Sequence, residues 1–129
     1  MKSWFLPISV VCFVAAAGAT AFGKELAGAE IRDRVSGKRV YLSVPLGGEF
    51  PLFYQSNGSV NGSGDAVGLG RFLKPNDSGR WWVDGNRLCQ KWTSWYDGKP
   101  FCFQITDQGP GKIGWIRDDG YSGTARIAP

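Results

Sequence analysis

Five dipeptides govern what this chain can fold into: Asn57-Gly58, Asn61-Gly62, Asp84-Gly85, Asp97-Gly98 and Asp119-Gly120. Asn, Asp and Gly tolerate the positive φ angles of tight hairpins, so such pairs mark reversals between neighbouring strands. Short segments with apolar residues at alternate positions lie between them, most clearly Val40, Leu42, Val44 and Leu46, as a half-buried strand requires. The pattern predicts strands over 38–46, 49–56, 66–73, 80–84, 86–93, 100–105, 112–117 and 123–128. The Ser/Asn/Gly stretch from Ser56 to Gly64 reads as loop. Ahead of the strands, Leu26, Ala27, Ile31 and Val35 recur at helical spacing. One helix is expected over Glu25–Ser36, with Gly37 as its left-handed stop and Gly28 as the residue that argues against it. Eight short antiparallel strands leave two bare edges unless the sheet closes on itself. The expected fold is therefore all-β, a small antiparallel barrel or curled sandwich with the helix over one end or flank.

The first 21 residues have a different character. Lys2 supplies the positive n-region, Trp4 to Ala17 carries no charge, and Ala19-Thr20-Ala21 fits the small-x-small cleavage pattern, which together describe a secretory signal. The apolar run is shorter than the roughly 20 residues of a spanning helix. Cleavage after Ala21 is expected, leaving residues 22–129 as a single periplasmic or secreted domain with no membrane span. Cys12 leaves with the peptide, and the bulky Val11 before it does not suit a lipidated cysteine. Of the 15 basic residues, loss of Lys2 leaves 14 against 11 acidic ones, a net charge of +3. That is too mild to imply nucleic acid as a partner.

Export leaves two cysteines, Cys89 and Cys102, in a compartment where disulfides persist. They permit one intramolecular pairing. If the two stand opposite each other in an antiparallel pair, Leu88 meets Phe103 and Gln90 meets Phe101. Leu88, Trp92, Phe101, Phe103 and Ile105 then share one face, and Cys89, Lys91, Cys102 and Gln104 share the other. This segregation of apolar side chains supports the register, with Thr93 to Gly98 as a wide hairpin loop.

The chain has no histidine, which removes Ser-His-Asp and Cys-His catalytic sites and histidine-bearing zinc sites. Oxidised cysteines cannot serve as thiolate nucleophiles or metal ligands. Gly62-Ser63-Gly64 and Gly68-Leu69-Gly70 open no helix, so no phosphate cradle is expected. Asp118 and Asp119 read as a hairpin turn, Asp65, Asp77, Asp84, Asp97 and Asp107 also sit in turn-like contexts, and no loop follows the alternating spacing of a calcium site. No enzymatic activity, metal or cofactor is expected.

The tryptophans are distributed unevenly. All five beyond the signal lie between Trp81 and Trp115 (Trp81, Trp82, Trp92, Trp95 and Trp115), interleaved with Arg80, Arg87, Lys91, Lys99, Lys112 and Arg117. Aromatics dominate small cores, yet Trp81 and Trp82 cannot both point inward from one regular strand. Trp95 and Tyr96 at a loop tip are also poor core residues. A ligand-binding surface is therefore expected at Trp81 or Trp82, Trp95 and Tyr96, with Arg80 and Lys99 at its edge. Flat aromatic faces beside cations suit sugar rings, anionic polymers or protein partners.

The run Gly79-Arg80-Trp81 through Leu88-Cys89-Gln90-Lys91-Trp92, followed by Cys102, resembles the G-x-W…L-C-x-x-W…C pattern of an uncharacterised group of short secreted bacterial proteins. The resemblance implies export, a related fold and a disulfide, and it brings no activity with it. Three functions fit the residues. The first is an exported non-catalytic module binding a cell-envelope glycan or polymer. The second is a protein-directed module such as an inhibitor of a cell-wall-degrading enzyme. The third is a closed barrel holding a small apolar ligand.

Overall fold

The computed structural model describes residues 23–44, 47–64 and 75–129; the expected signal peptide and the expected strand at 66–73 lie outside them. Helix α1 spans Gly28–Val35. The strands are β1 Lys38–Ser43, β2 Glu49–Tyr54, β3 Ser59–Ser63, β4 Asn76–Asp84, β5 Arg87–Trp92, β6 Pro100–Asp107, β7 Lys112–Arg117 and β8 Ser122–Ile127. Each strand pairs antiparallel with the next, and β8 returns to β1 through Val40↔Ile127 and Leu42↔Ala125. The sheet closes into an eight-stranded up-and-down barrel, which leaves no strand edge bare.

Register follows the expected alternation. Leu88 stands opposite Phe103, Cys89 opposite Cys102 and Gln90 opposite Phe101, and the two cysteines are bonded with their Cα atoms 4.0 Å apart. Leu88, Gln90 and Trp92 face the interior together with Phe101, Phe103 and Ile105, while the disulfide lies on the outer face.

Two expectations are corrected at the second hairpin. Ser56–Gly64 is not a loop, because β3 occupies its second half and pairs with strands on both sides (Phe53↔Asn61↔Ser78). Asn57-Gly58 does form the turn. Gly58 adopts φ 93°, and its N–H donates to the Gln55 carbonyl at 3.0 Å. Asn61-Gly62 instead runs straight through the strand, where Gly62 gives room to a neighbour: a Cβ there would stand 2.5 Å from the Trp95 ring and 3.0 Å from that of Trp92. At the β4–β5 hairpin Asp84 pairs with Arg87, so the loop residues are Gly85 and Asn86, one position later than the Asp84-Gly85 signal.

The helix is shorter than expected. Glu25 bridges to Thr106, and the Leu26 N–H donates to the Ile105 carbonyl at 2.8 Å, so the chain runs extended along β6 before turning. The first helical N–H, that of Gly28, donates to Asn86 Oδ1 at 3.0 Å. Glu30 reaches back to accept from the Ala27 N–H at 3.1 Å. These bonds satisfy donors that a helix start leaves unpaired. Gly28 is the contact point with the barrel, since a Cβ there would run into the Gly85 carbonyl. Ile31 and Val35 are fully buried, so α1 closes the barrel end that carries the β2–β3, β4–β5 and β6–β7 turns.

Candidate functional site

A cavity of about 290 Å³ remains inside the barrel. Val35 of α1 is at its floor, Val40, Leu42, Leu52, Leu88, Ile105 and Ile113 line its wall, and Phe50, Trp95, Tyr96, Phe101, Trp115 and Arg117 line it toward the opposite end. Strand alternation puts these side chains there. Phe50, Leu52 and Tyr54 take every second place on β2, and Ile113, Trp115 and Arg117 do so on β7.

The polar groups of this interior are few. The buried Tyr54 hydroxyl donates to Gln90 Oε1 at 2.6 Å. Burial pushes the Tyr54 hydroxyl well above its ordinary pKa of 10.0, so it remains a neutral donor. Trp115 packs edge-on to Phe103 with ring centres 5.7 Å apart, and against Gly123, where a Cβ would meet the indole at 2.7 Å. Its buried Nε1 has no hydrogen-bond partner among the described residues.

The β5–β6 connection forms part of the mouth and is tied to β4. Asp77 Oδ2 accepts from the N–H groups of Ser94 and Trp95, both at 2.8 Å. The Thr93 hydroxyl donates to the Ser78 carbonyl at 2.8 Å. Tyr96 and Asp97 then adopt the left-handed region, at φ 56° and 54°, which is unusual for residues with a side chain. The effect is to turn Trp95 into the barrel, where its ring lies 4.7 Å from that of Trp92 and 5.5 Å from that of Phe50. Tyr96 stays on the rim, 52% exposed.

Arg117 completes the rim. Its guanidinium lies over Phe101 at 4.5 Å, Tyr121 at 4.7 Å and Tyr96 at 5.2 Å. Nε donates to Asp119 Oδ1 at 2.6 Å, and the side chain is only 13% exposed. The Arg117 bond holds the Asp119 carboxyl below the usual carboxylate range.

The six residues expected to form one surface are divided between the two sides of the wall. Trp81 points inward, 7% exposed, edge-on to Tyr54 at 5.8 Å, with its Nε1 donating to the Gln55 carbonyl at 2.8 Å. Arg80 and Trp82 alternate with it and face outward, Trp82 at 36% exposure beside the disulfide strand pair. Trp95, expected at an exposed tip, is instead packed in the mouth, while Tyr96 is at the rim and Lys99 is exposed. Sequence reasoning missed Phe50, Tyr54, Gln90, Trp115 and Arg117 as a group. The signal that could have found them is parity: each shares its strand face with an apolar residue two positions away.

Among the described residues, no three His, Cys, Asp or Glu side chains converge to hold a metal ion. No helix among them is long and apolar enough to cross a membrane. Comparison of the chain with family models, curated proteins and solved structures finds no match.

Proposed function

We propose that the protein is an exported, non-catalytic binding module that takes a small apolar ligand into its barrel. The observation that carries this reading is the cavity of about 290 Å³, walled by aliphatic and aromatic side chains and closed at one end by α1. Small-molecule sites are concave, mostly apolar and furnished with a few fixed polar groups, and an eight-stranded barrel is wide enough for one small ligand. The inward turn of Trp81 and Trp95 favours the interior over the outer wall as the binding surface. The Cys89–Cys102 bond, of a kind that persists in oxidising compartments, supports export, as does the Met1–Ala21 signal pattern.

Decanol, an uncharged linear alcohol, tests the reading. Titrated below its solubility limit, it should shift the tryptophan emission saturably, because Trp92, Trp95 and Trp115 all line the cavity. An organic extract of protein purified from its own host should contain an apolar compound in near-stoichiometric amount. A linear, unsaturable response together with an empty extract would sink the proposal.

A further inference from the structure

We infer that the ligand is a single-chain anionic amphiphile, its tail in the barrel and its carboxylate at the mouth against Arg117; this rests on the reading of the cavity as a ligand site. Arg117 is the sole charged residue among the described side chains that line the cavity. A guanidinium stays protonated at any ordinary pH and is more weakly hydrated than an ammonium, so it can stand beside an apolar cavity and keep its charge. The faces of Tyr96, Phe101 and Tyr121 hold it there. Asp119 hydrogen-bonds Nε and does not line the cavity, and the Tyr96 side chain is a second hydrogen-bond partner of the guanidinium at the rim. An arginine has five N–H donors, and its terminal nitrogens form the fork that grips a carboxylate through two parallel bonds.

The rest of the cavity sets the tail. At roughly 30 Å³ per methylene-sized group, close to the share of a molecule in liquid water, 290 Å³ is room for a tail of about ten groups. Among the described residues that line the cavity, the other polar side chains deep in the wall are Tyr54 and Gln90, and they are bonded to each other, so the deep end favours hydrocarbon. A cationic head would meet Arg117 as a like charge. The ligand chemistry that fits is an alkyl carboxylate of medium length.

The experiment compares decanoate, decanol and decyltrimethylammonium at pH 7.5, read by tryptophan emission and by thermal shift, on the wild type and on Arg117→Gln and Arg117→Lys. Decanoate should bind at least about tenfold tighter than decanol, the scale of a charge-assisted hydrogen bond, and the ammonium should bind weakest. Arg117→Gln should erase the preference for decanoate, read as the ratio of decanoate to decanol affinity in the same variant, and Arg117→Lys should restore part of it. Equal binding of decanoate and decanol to the wild type, or an equal loss of both in Arg117→Gln, overturns the assignment and leaves the apolar cavity reading standing. Failure of all three compounds to bind overturns both.

Discussion

The Tyr54 hydroxyl and the Gln90 amide meet inside an otherwise apolar wall, and each exists there at the other's expense. A buried polar atom that loses its partner costs about 1–3 kcal/mol, so Tyr54→Phe should lower stability by about that much in a denaturant titration. The same residue gives the protein an alkaline limit. Burial raises the folded-state pKa of Tyr54 above its ordinary value of 10.0, so the folded state retains a proton that the unfolded chain loses. The stability this represents is fully present below pH 10 and declines as the pH climbs above it. Wild-type melting temperature should therefore fall above pH 10, and Tyr54→Phe should fall less steeply over the same range. Asp77 acts at the opposite end. It takes two backbone N–H groups from the β5–β6 connection, and through them sets the inward position of Trp95. Asp77→Ala should cost about 1–3 kcal/mol and shift tryptophan emission to the red as the indole meets water. An unchanged spectrum would mean that ring packing alone seats Trp95.

At the scale of elements, the Cys89–Cys102 bond staples β5 to β6 over a separation of 13 residues. Closing a loop of this size is worth about 3 kcal/mol in the chain-entropy model. For a domain of about 100 residues that corresponds to a fall of more than 10 °C on reduction, readable by calorimetry with and without reductant. Helix α1 depends on a close approach, and Gly28→Ala tests it. Because a Cβ would run into the Gly85 carbonyl, the substitution should destabilise by about 1–3 kcal/mol, although alanine is the better helix former. The sequence pattern made the helix legible through Ile31 and Val35, and it made the β5–β6 register legible because two constraints agreed there: one cysteine pairing and one clean division of apolar faces. β3 was hidden for a physical reason. Its Asn61-Gly62 pair is turn chemistry by composition, yet Gly62 is needed where the Trp95 and Trp92 rings press on the backbone. A short-range reading weighs what a residue tolerates locally, and it cannot see a ring delivered from another hairpin.

For the whole molecule, the choice narrowed to a barrel or a curled sandwich because many short strands have few other ways to remove their edges, and the ladder from β1 around to β8 is the barrel. The interior site was much less legible. Its members come from β1, β2, β5, β6, β7, α1 and the β5–β6 connection, and no sequence motif links Phe50 to Arg117. Only closure brings them together. The surface expected from Trp81, Trp82, Trp95 and Tyr96 rested on local exposure, and closure divides those residues between the two sides of the wall. If the cavity is the binding site, its volume should control ligand-linked stability. A ligand that binds only the folded state stabilises it by RT ln(1 + [L]/Kd), about 2.7 kcal/mol at a hundredfold excess over Kd. Saturating decanol should then raise the wild-type melting temperature by roughly 10 °C or more for a domain of this size. Leu42 lines the cavity on β1 and is only half-buried, so Leu42→Trp should fill the space at a cost of about 1–3 kcal/mol. The filled variant should melt as cooperatively as the wild type and no longer respond to decanol. A variant that folds, fills the cavity and still gains the full thermal shift would place the alcohol somewhere other than the barrel interior.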